Sequence, residues 1–291
     1  MTVERNKPMG SPMPPVLPFH VLFPLPGVME CSPFARVMET LVWGLEQLGY
    51  EASSSFGTWR KNATHIVLCP HLLGSQVLER IPPETILYNL DQITPSSPIP
   101  PSSLWSFRHW RIWDFSPKNQ ARWNSLGINA TIVPIAWHPG LERVPNNQEK
   151  DIDVLFYGAL NHHREAALNR IAGTGVRLGI YNQVFGRELD TLIARSRLVL
   201  NIHYYPTGLL ETMRISYLLA NGKAVLSERS IRSEIPDIYE SAVCWTPYEK
   251  LAETCLELVS NSDCLKKLET AGKSSIRSIP IAPFIKQALL T

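Results

Sequence analysis

The sequence predicts an α/β protein built from two Rossmann-like domains. Three observations carry this. Short apolar runs bounded by turn-forming residues recur along the 291 residues, each too short for a helix, and read as buried strands. Between them lie segments whose apolar residues fall three and four apart, as on one face of a helix. The rhythm stops at the polar, turn-forming stretch 139–150 and then restarts, which separates two units of one architecture.

In chain order, residues 1–16 form a tail punctuated by proline, methionine and glycine and are expected to be mobile. The first strand is His20-Val21-Leu22-Phe23-Pro24, followed by a loop through Glu30. A helix starts after Ser32, an N-cap, with Pro33 at its first position; Phe34, Val37, Met38, Leu41, Val42 and Leu45 form its apolar face. Strands follow near Glu51–Ser53, at His65–Cys69 and at Thr85–Leu90. Ile93–Ser103 is rich in proline and serine and reads as an irregular loop. Trp110–Phe115 is a strand, Ser116-Pro117 starts a helix that runs to Leu126-Gly127, and Ala130–Ile135 is the last strand of the first domain. That domain spans 17–140, a linker occupies 141–150, and the second domain spans 151–291.

The second domain opens with the strand Ile152–Gly158, then a helix over His162–Ile171, a strand over Val176–Tyr181 and a helix over Gly186–Ser196. The stretch 198–228 is the densest part of the chain. It reads as a strand to Ile202, a polar loop from His203 to Gly208, a helix carrying Leu210, Met213, Tyr217 and Leu218, a stop at Asn221-Gly222, and a strand over Lys223–Ser227. A last strand over Ala242–Trp245 and two helices from Tyr248 to Ile276 complete it. A helix over Pro283–Leu290 could pack back on the first domain.

Composition narrows the function classes. A net charge of +2 without a basic stripe gives no reason to expect nucleic-acid binding. No segment approaches the ~18 apolar residues of a membrane span, and the N-terminus lacks the apolar core of a signal peptide. The scattered cysteines Cys31, Cys69, Cys244, Cys255 and Cys264 form no Cys-x-x-Cys pair and read as small buried hydrophobes in a reducing cytoplasm. The tryptophans Trp105, Trp110, Trp113, Trp123 and Trp137 cluster in the second half of the first domain and read mostly as core.

A strand entering a polar loop, an acidic residue, a helix and then Asn221-Gly222-Lys223-Ala224-Val225-Leu226-Ser227 resembles the donor-binding core of GT-B glycosyltransferases, most strongly over 153–228. Many retaining members carry two glutamates eight positions apart here. In this chain the position eight after Glu211 is Leu219, and matching the turn and strand puts Leu209 and Tyr217 at the two glutamate positions. The resemblance implies two domains facing across a cleft, a nucleotide-diphosphate sugar as co-substrate, and no cofactor.

Candidate site residues follow from strand ends, where open α/β sheets bind ligands. Gly158, Asn161 and Arg164 lie in a strand-to-helix turn that can present N–H groups and a guanidinium to a diphosphate. His203, Thr207, Gly208, Glu211 and Arg214 form the densest polar group: Glu211 could take a ribose diol, Thr207 and Gly208 a phosphate, and Arg214 the leaving diphosphate. Tyr181 and Phe185 follow the next strand, where the resemblance implies nucleobase binding. A base that deprotonates the acceptor should come from the first domain, with Asp91, Glu30 and His71 as candidates and Asp91 first. The one Asp-x-Asp match, Asp151-Ile152-Asp153, begins a strand beside the linker, so no metal is expected. The expected function is glycosyl transfer to an unknown acceptor. A nucleotide-sugar epimerase and a non-catalytic sugar-nucleotide or partner-binding module are the alternatives.

Overall fold

The computed structural model describes residues 17–26, 33–93, 99, 101–145, 148–204, 211–229 and 235–291. Two all-parallel sheets with helices on their faces make up the chain. Glu30, Cys31, Thr207, Gly208, Leu209 and Leu210 lie outside the described residues.

The first domain runs β1 (Phe19–Phe23), α1 (Pro33–Gln47), β2 (Ala52–Phe56), β3 (Thr64–Leu68), α2 (Ser75–Leu78), β4 (Ile86–Asn89), α3 (Pro101–Ser106), β5 (Arg111–Asp114), α4 (Pro117–Ser125) and β6 (Ala130–Ile132). Its sheet order is β2-β1-β3-β4-β5-β6. Alternate strand residues supply opposite faces. Val21, Ile66 and Tyr88 pack under α1, while Leu22, Val67 and Leu87 pack with Leu104 and Trp123. The connection from β2 to β3 passes over β1 without a helix. It rests on His20, whose ring nitrogens meet Ser53 Oγ at 2.8 Å, Ser55 Oγ at 2.9 Å and the Thr58 carbonyl at 3.1 Å.

The second domain runs β7 (Ile152–Tyr157), α5 (His162–Ala172), β8 (Leu178–Tyr181), α6 (Gly186–Arg195), β9 (Ser196–Asn201), α7 (Thr212–Ala220), β10 (Ala224–Glu228), α8 (Asp237–Glu240), β11 (Cys244–Thr246), α9 (Leu251–Ser260), α10 (Ser262–Arg277) and α11 (Ile281–Leu290). Its order is β11-β10-β9-β7-β8, so the winding reverses between β7 and β9. That reversal opens a crevice at the carboxyl edge, where ligands of such sheets sit. Gly222 ends α7 at φ 61°, the left-handed stop that Asn221-Gly222 predicts.

Three features depart from the sequence expectations. The stretch 93–103 was expected to be irregular, yet α3 begins at Pro101; proline suits a first helical turn, and burial of Leu104 holds the helix down. The polar stretch 139–150 carries Leu141 and Val144 into the second core, and Asn221 Oδ1 accepts from the Arg143 and Val144 N–H groups at 2.9 and 2.8 Å. The strand expected over 130–135 ends at Ile132, before Pro134. At the end of the chain, Ile281, Ile285 and Ala288 of α11 enter the first domain's core beside α1.

The two domains meet where α1 and α7 begin. Pro33 and Arg36 line a small cavity with Met213, Ser216 and Tyr217, with free space of about 20 Å³, room for one water. Because both helices start at the carboxyl edge of their own sheet, the two edges face one another.

Candidate functional site

The β7–α5 turn lies at the reversal point of the second sheet. Gly158 takes φ 132°, a conformation that L side chains rarely adopt, and a Cβ there would stand 2.7 Å from Arg214 Nη2. The backbone conformation therefore favours glycine, and a side chain here would also push the movable end of Arg214 aside. Asn161 caps α5 by accepting from the Arg164 N–H at 2.9 Å, and its amide donates to the Tyr204 carbonyl at 2.8 Å. Arg164 then points into the sheet edge and is only 2% exposed. Its guanidinium donates to the Ile202 carbonyl at 3.0 and 2.6 Å, to the Ala159 carbonyl at 2.8 Å and to Glu211 Oε1 at 3.2 Å. Burial, and after it the neighbouring Arg214 charge, bring this guanidinium down to about 10.

Glu211 precedes α7 and is the hub. Oε1 accepts from Arg164 and from the Tyr204 N–H at 3.3 Å; Oε2 accepts from Asn201 Nδ2 at 3.0 Å and faces His203 Nδ1 at 3.3 Å. Burial pushes its carboxyl up, but His203, Arg214 and Asn201 together outweigh it and hold the group below the usual carboxylate range. His203 is anchored in turn, since its N–H donates to Glu228 Oε2 at 3.0 Å. His163 meets both Glu228 oxygens at 3.1 Å and stacks on Tyr248 at 4.0 Å between centroids. His162, by contrast, is exposed.

Arg214 differs from Arg164. Its Nη1 donates to neutral Asn201 Oδ1 at 3.0 Å, its guanidinium lies 4.9 Å from the Tyr157 ring centroid, and it forms no salt bridge among the described residues. Ion pairs balance the other cations nearby: Arg164 with Glu211, Arg36 with Asp190, and Arg143 with Glu39. Arg214 therefore keeps guanidinium donors available for a ligand, although its charge is felt by Glu211.

Tyr181 pairs in register with Tyr157 at the end of β8, and its ring packs against the core. Phe185 precedes α6 with no side-chain cap, after Gln183 at φ 54°. Tyr217 is buried; its hydroxyl donates to Asp190 at 2.6 Å, and the Arg36 guanidinium covers its ring at 3.6 Å. Asp151 and Asp153 lie at the opposite, amino end of β7, paired with Arg195 and with Arg177 respectively.

Across the cleft, the structure brings together two of the residues considered separately as bases. His71 follows β3 in a short 3-10 turn, Asp91 follows β4, and His71 Nε2 lies 3.2 Å from Asp91 Oδ2. His71 Nδ1 is buried without a partner. Burial lowers the imidazole's pKa against the pull of Asp91. The Asp91 backbone is fixed from beneath: its carbonyl accepts from Asn89 at 2.6 Å and Asn119 at 2.8 Å. Both amides also donate to Asp114, which accepts further from Trp123 and the Ser116 N–H, and which burial still pushes up to about 6.

Asn201, Glu228 and Asp114 were not singled out in the sequence. The signal for Asn201 and Glu228 was present as a polar residue closing an apolar strand, Leu198-Val199-Leu200-Asn201 and Ala224-Val225-Leu226-Ser227-Glu228.

The site predicts that Gly158→Ala costs about 1–3 kcal/mol of stability through backbone strain and displaces Arg214. Thermal unfolding and ligand titration of the variant should show both losses together.

No protein-family model matches the chain. A protein of Acanthamoeba polyphaga mimivirus, described only as uncharacterized, is 30% identical over 161 residues, 53% of this chain and 52% of that protein. The chain thus matches about half the length of that curated relative. Among solved structures, sucrose-phosphate synthase from Thermosynechococcus elongatus superposes with a TM-score of 0.60 at 11% identity, covering 94% of this chain and 98% of that one. Anabaena HepE in complex with UDP-glucose gives 0.62 at 10% identity over 94% and 98%. WaaG, a glycosyltransferase of lipopolysaccharide biosynthesis, gives 0.58 at 10% identity over 94% and 99%. At such identities the similarity shows a shared fold, spanning both domains.

Proposed function

We propose that this chain, which has the GT-B fold, is a glycosyltransferase whose second domain holds a nucleoside-diphosphate sugar and whose first domain presents the acceptor. The observation that carries the reading is Arg214. It is a guanidinium without a carboxylate partner among the described residues, set at the reversal point of the second sheet beside a turn whose backbone favours glycine. An anion is what such a position stabilises, and a sugar's leaving diphosphate is one. HepE, a structural neighbour, was solved with UDP-glucose, which makes UDP the first nucleotide to try.

In this reading Arg164 is a positioning residue. Three of its bonds go to the Ile202 and Ala159 carbonyls, so it fixes the loops around the crevice while Glu211 neutralises it. Glu211 spends both oxygens inside the protein, so it organises the crevice, and the ribose role considered for it from sequence gives way to that one. Arg214 neutralises the diphosphate as the bond to the anomeric carbon breaks and the electron pair leaves with the phosphate oxygen. No metal is assigned a part, because the guanidinium meets that charge.

The base is the His71–Asp91 pair. Asp91 accepts from His71 Nε2–H, which fixes the tautomer with Nδ1 as the acceptor nitrogen. An acceptor hydroxyl gives its proton to the Asp91 carboxylate, the more exposed member of the pair, while its oxygen attacks the anomeric carbon from the side opposite the diphosphate. The lowered imidazole pKa keeps His71 neutral near pH 7, where its Nε2–H holds the Asp91 carboxylate in place.

A thermal-shift screen against UDP, GDP, TDP, CDP and ADP tests the reading. A nucleotide at a hundred times its dissociation constant should add about 2.7 kcal/mol. The reading fails if no nucleotide shifts the protein at millimolar concentration, or if the shift survives unchanged in Arg214→Ala.

A further inference from the structure

We propose that Asp114 is a positioning residue for the base: as a carboxylate it fixes the orientation of two buried amides, Asn89 and Asn119, and through them holds Asp91 against His71. This rests on the reading of Asp91 as the base, and adds what keeps that base in place.

Asn89 and Asp114 end β4 and β5 side by side in register, and Asn119 lies in the first turn of α4. All three are at most 2% exposed. N–H groups surround Asp114, and no cation among the described residues offsets it. Oδ1 accepts from the Ser116 N–H at 2.8 Å and from Asn119 Nδ2 at 3.0 Å. Oδ2 accepts from Trp123 Nε1 at 2.7 Å and from Asn89 Nδ2 at 2.8 Å. Holding a charge here is costly, and burial pushes the carboxyl up to about 6.

What the carboxylate supplies is direction. An amide has a donor end and an acceptor end of nearly equal size, whereas an ionised carboxylate only accepts. Asn89 and Asn119 therefore both turn Nδ2 toward Asp114. Each NH2 has a second hydrogen, and in both residues it goes to the Asp91 carbonyl, at 2.6 and 2.8 Å. The oxygen ends then face the same loop. Asn89 Oδ1 accepts from the Asp91 N–H at 3.3 Å, and Asn119 Oδ1 from the Ile93 N–H at 2.9 Å. The segment after β4 is thus held at three backbone groups, while the Asp91 side chain stays free to meet His71 Nε2 at 3.2 Å. Without an acceptor-only group between them, either amide can invert, which sets an oxygen against the Asp91 carbonyl and releases the loop.

The test follows the His71 Nε2–H by NMR of the full-length protein with isotope-labelled histidines, and needs no substrate. At pH 7, where Asp114 is ionised, the proton shared with Asp91 should give a protected imidazole N–H resonance, assigned by its absence from His71→Gln. Asp114→Asn puts a donor among donors and should speed exchange of that proton about tenfold. Asn119→Ala should do the same while keeping the Asp114 charge, so the test survives if Asp114→Asn does not fold. Trp123→Phe removes a bond to Asp114 that does not lead on to Asp91, and should lower Tm with the resonance retained. The inference is overturned if wild type lacks the resonance, or if it survives unchanged in Asp114→Asn or Asn119→Ala. An equal loss in Trp123→Phe also overturns it, because the effect is then general loosening. The nucleotide screen stands apart from these readouts: a wild type that binds no nucleotide overturns the reading of Asp91 as a base, while the resonance separately decides whether Asp114 places it.

Discussion

Replacing Arg214 by alanine weakens nucleoside-diphosphate binding by about 10- to 100-fold and leaves thermal stability nearly unchanged. The asymmetry follows from its contacts. Within the protein Arg214 makes one bond to a neutral amide, Asn201 Oδ1 at 3.0 Å, and stacks on Tyr157. Glu211 loses the nearby charge of Arg214 but keeps its direct partners Arg164 and His203. A diphosphate in the crevice, however, loses a charge-assisted donor worth about 1.5–3 kcal/mol. Calorimetric titration of UDP beside a melting curve separates the two effects; a variant that melts far below wild type would mean that Arg214 is structural.

Glu211→Ala should behave in the opposite way, with a loss of about 3 kcal/mol of stability before any ligand is added. Arg164 would remain 2% exposed with its counter-charge gone, while Asn201 and the Tyr204 N–H would each lose an acceptor. The figure sits at the low end for a broken buried pair because the Glu211 side chain keeps 23% of its exposure. Its pH dependence has a definite sign. The folded carboxyl lies below its ordinary value of 4.5, so its contribution is present above pH 4.5 and is lost as pH falls through the folded value. The stability gap between wild type and Glu211→Ala should therefore narrow in acid. Denaturant melts at pH 7 and pH 4 measure this, and a gap that stays constant or widens would show that the charge of Glu211 is not what holds Arg164.

These two residues also show how far the sequence could be read. Strand ends, the Asn221-Gly222 stop and the clustering of Glu211 and Arg214 after an apolar strand were legible, because each depends on a few neighbouring residues. Their partners were not. Asn201 is ten positions from Glu211, Arg164 is forty-seven, and Arg36 reaches Asp190 from the other domain. Only the parallel order β9-β7-β8 and the facing of α1 against α7 bring such residues together. The His71–Asp91 pair is the same case: two strand-end residues read as competing bases become one unit when β3 and β4 lie side by side. The stretch 139–150 misleads for a different reason. Its composition is polar, and Leu141 and Val144 are too few to make a period, yet Asn221 holds their backbone in the core.

Hydrogen exchange of the full-length protein with and without saturating UDP, or whichever diphosphate the screen selects, tests the central claim most directly. The account predicts slowed exchange in peptides covering 157–165 and 211–217, which flank the crevice between β7 and β9. Protection confined to the first domain, or none near these two segments despite measured binding, would contradict it.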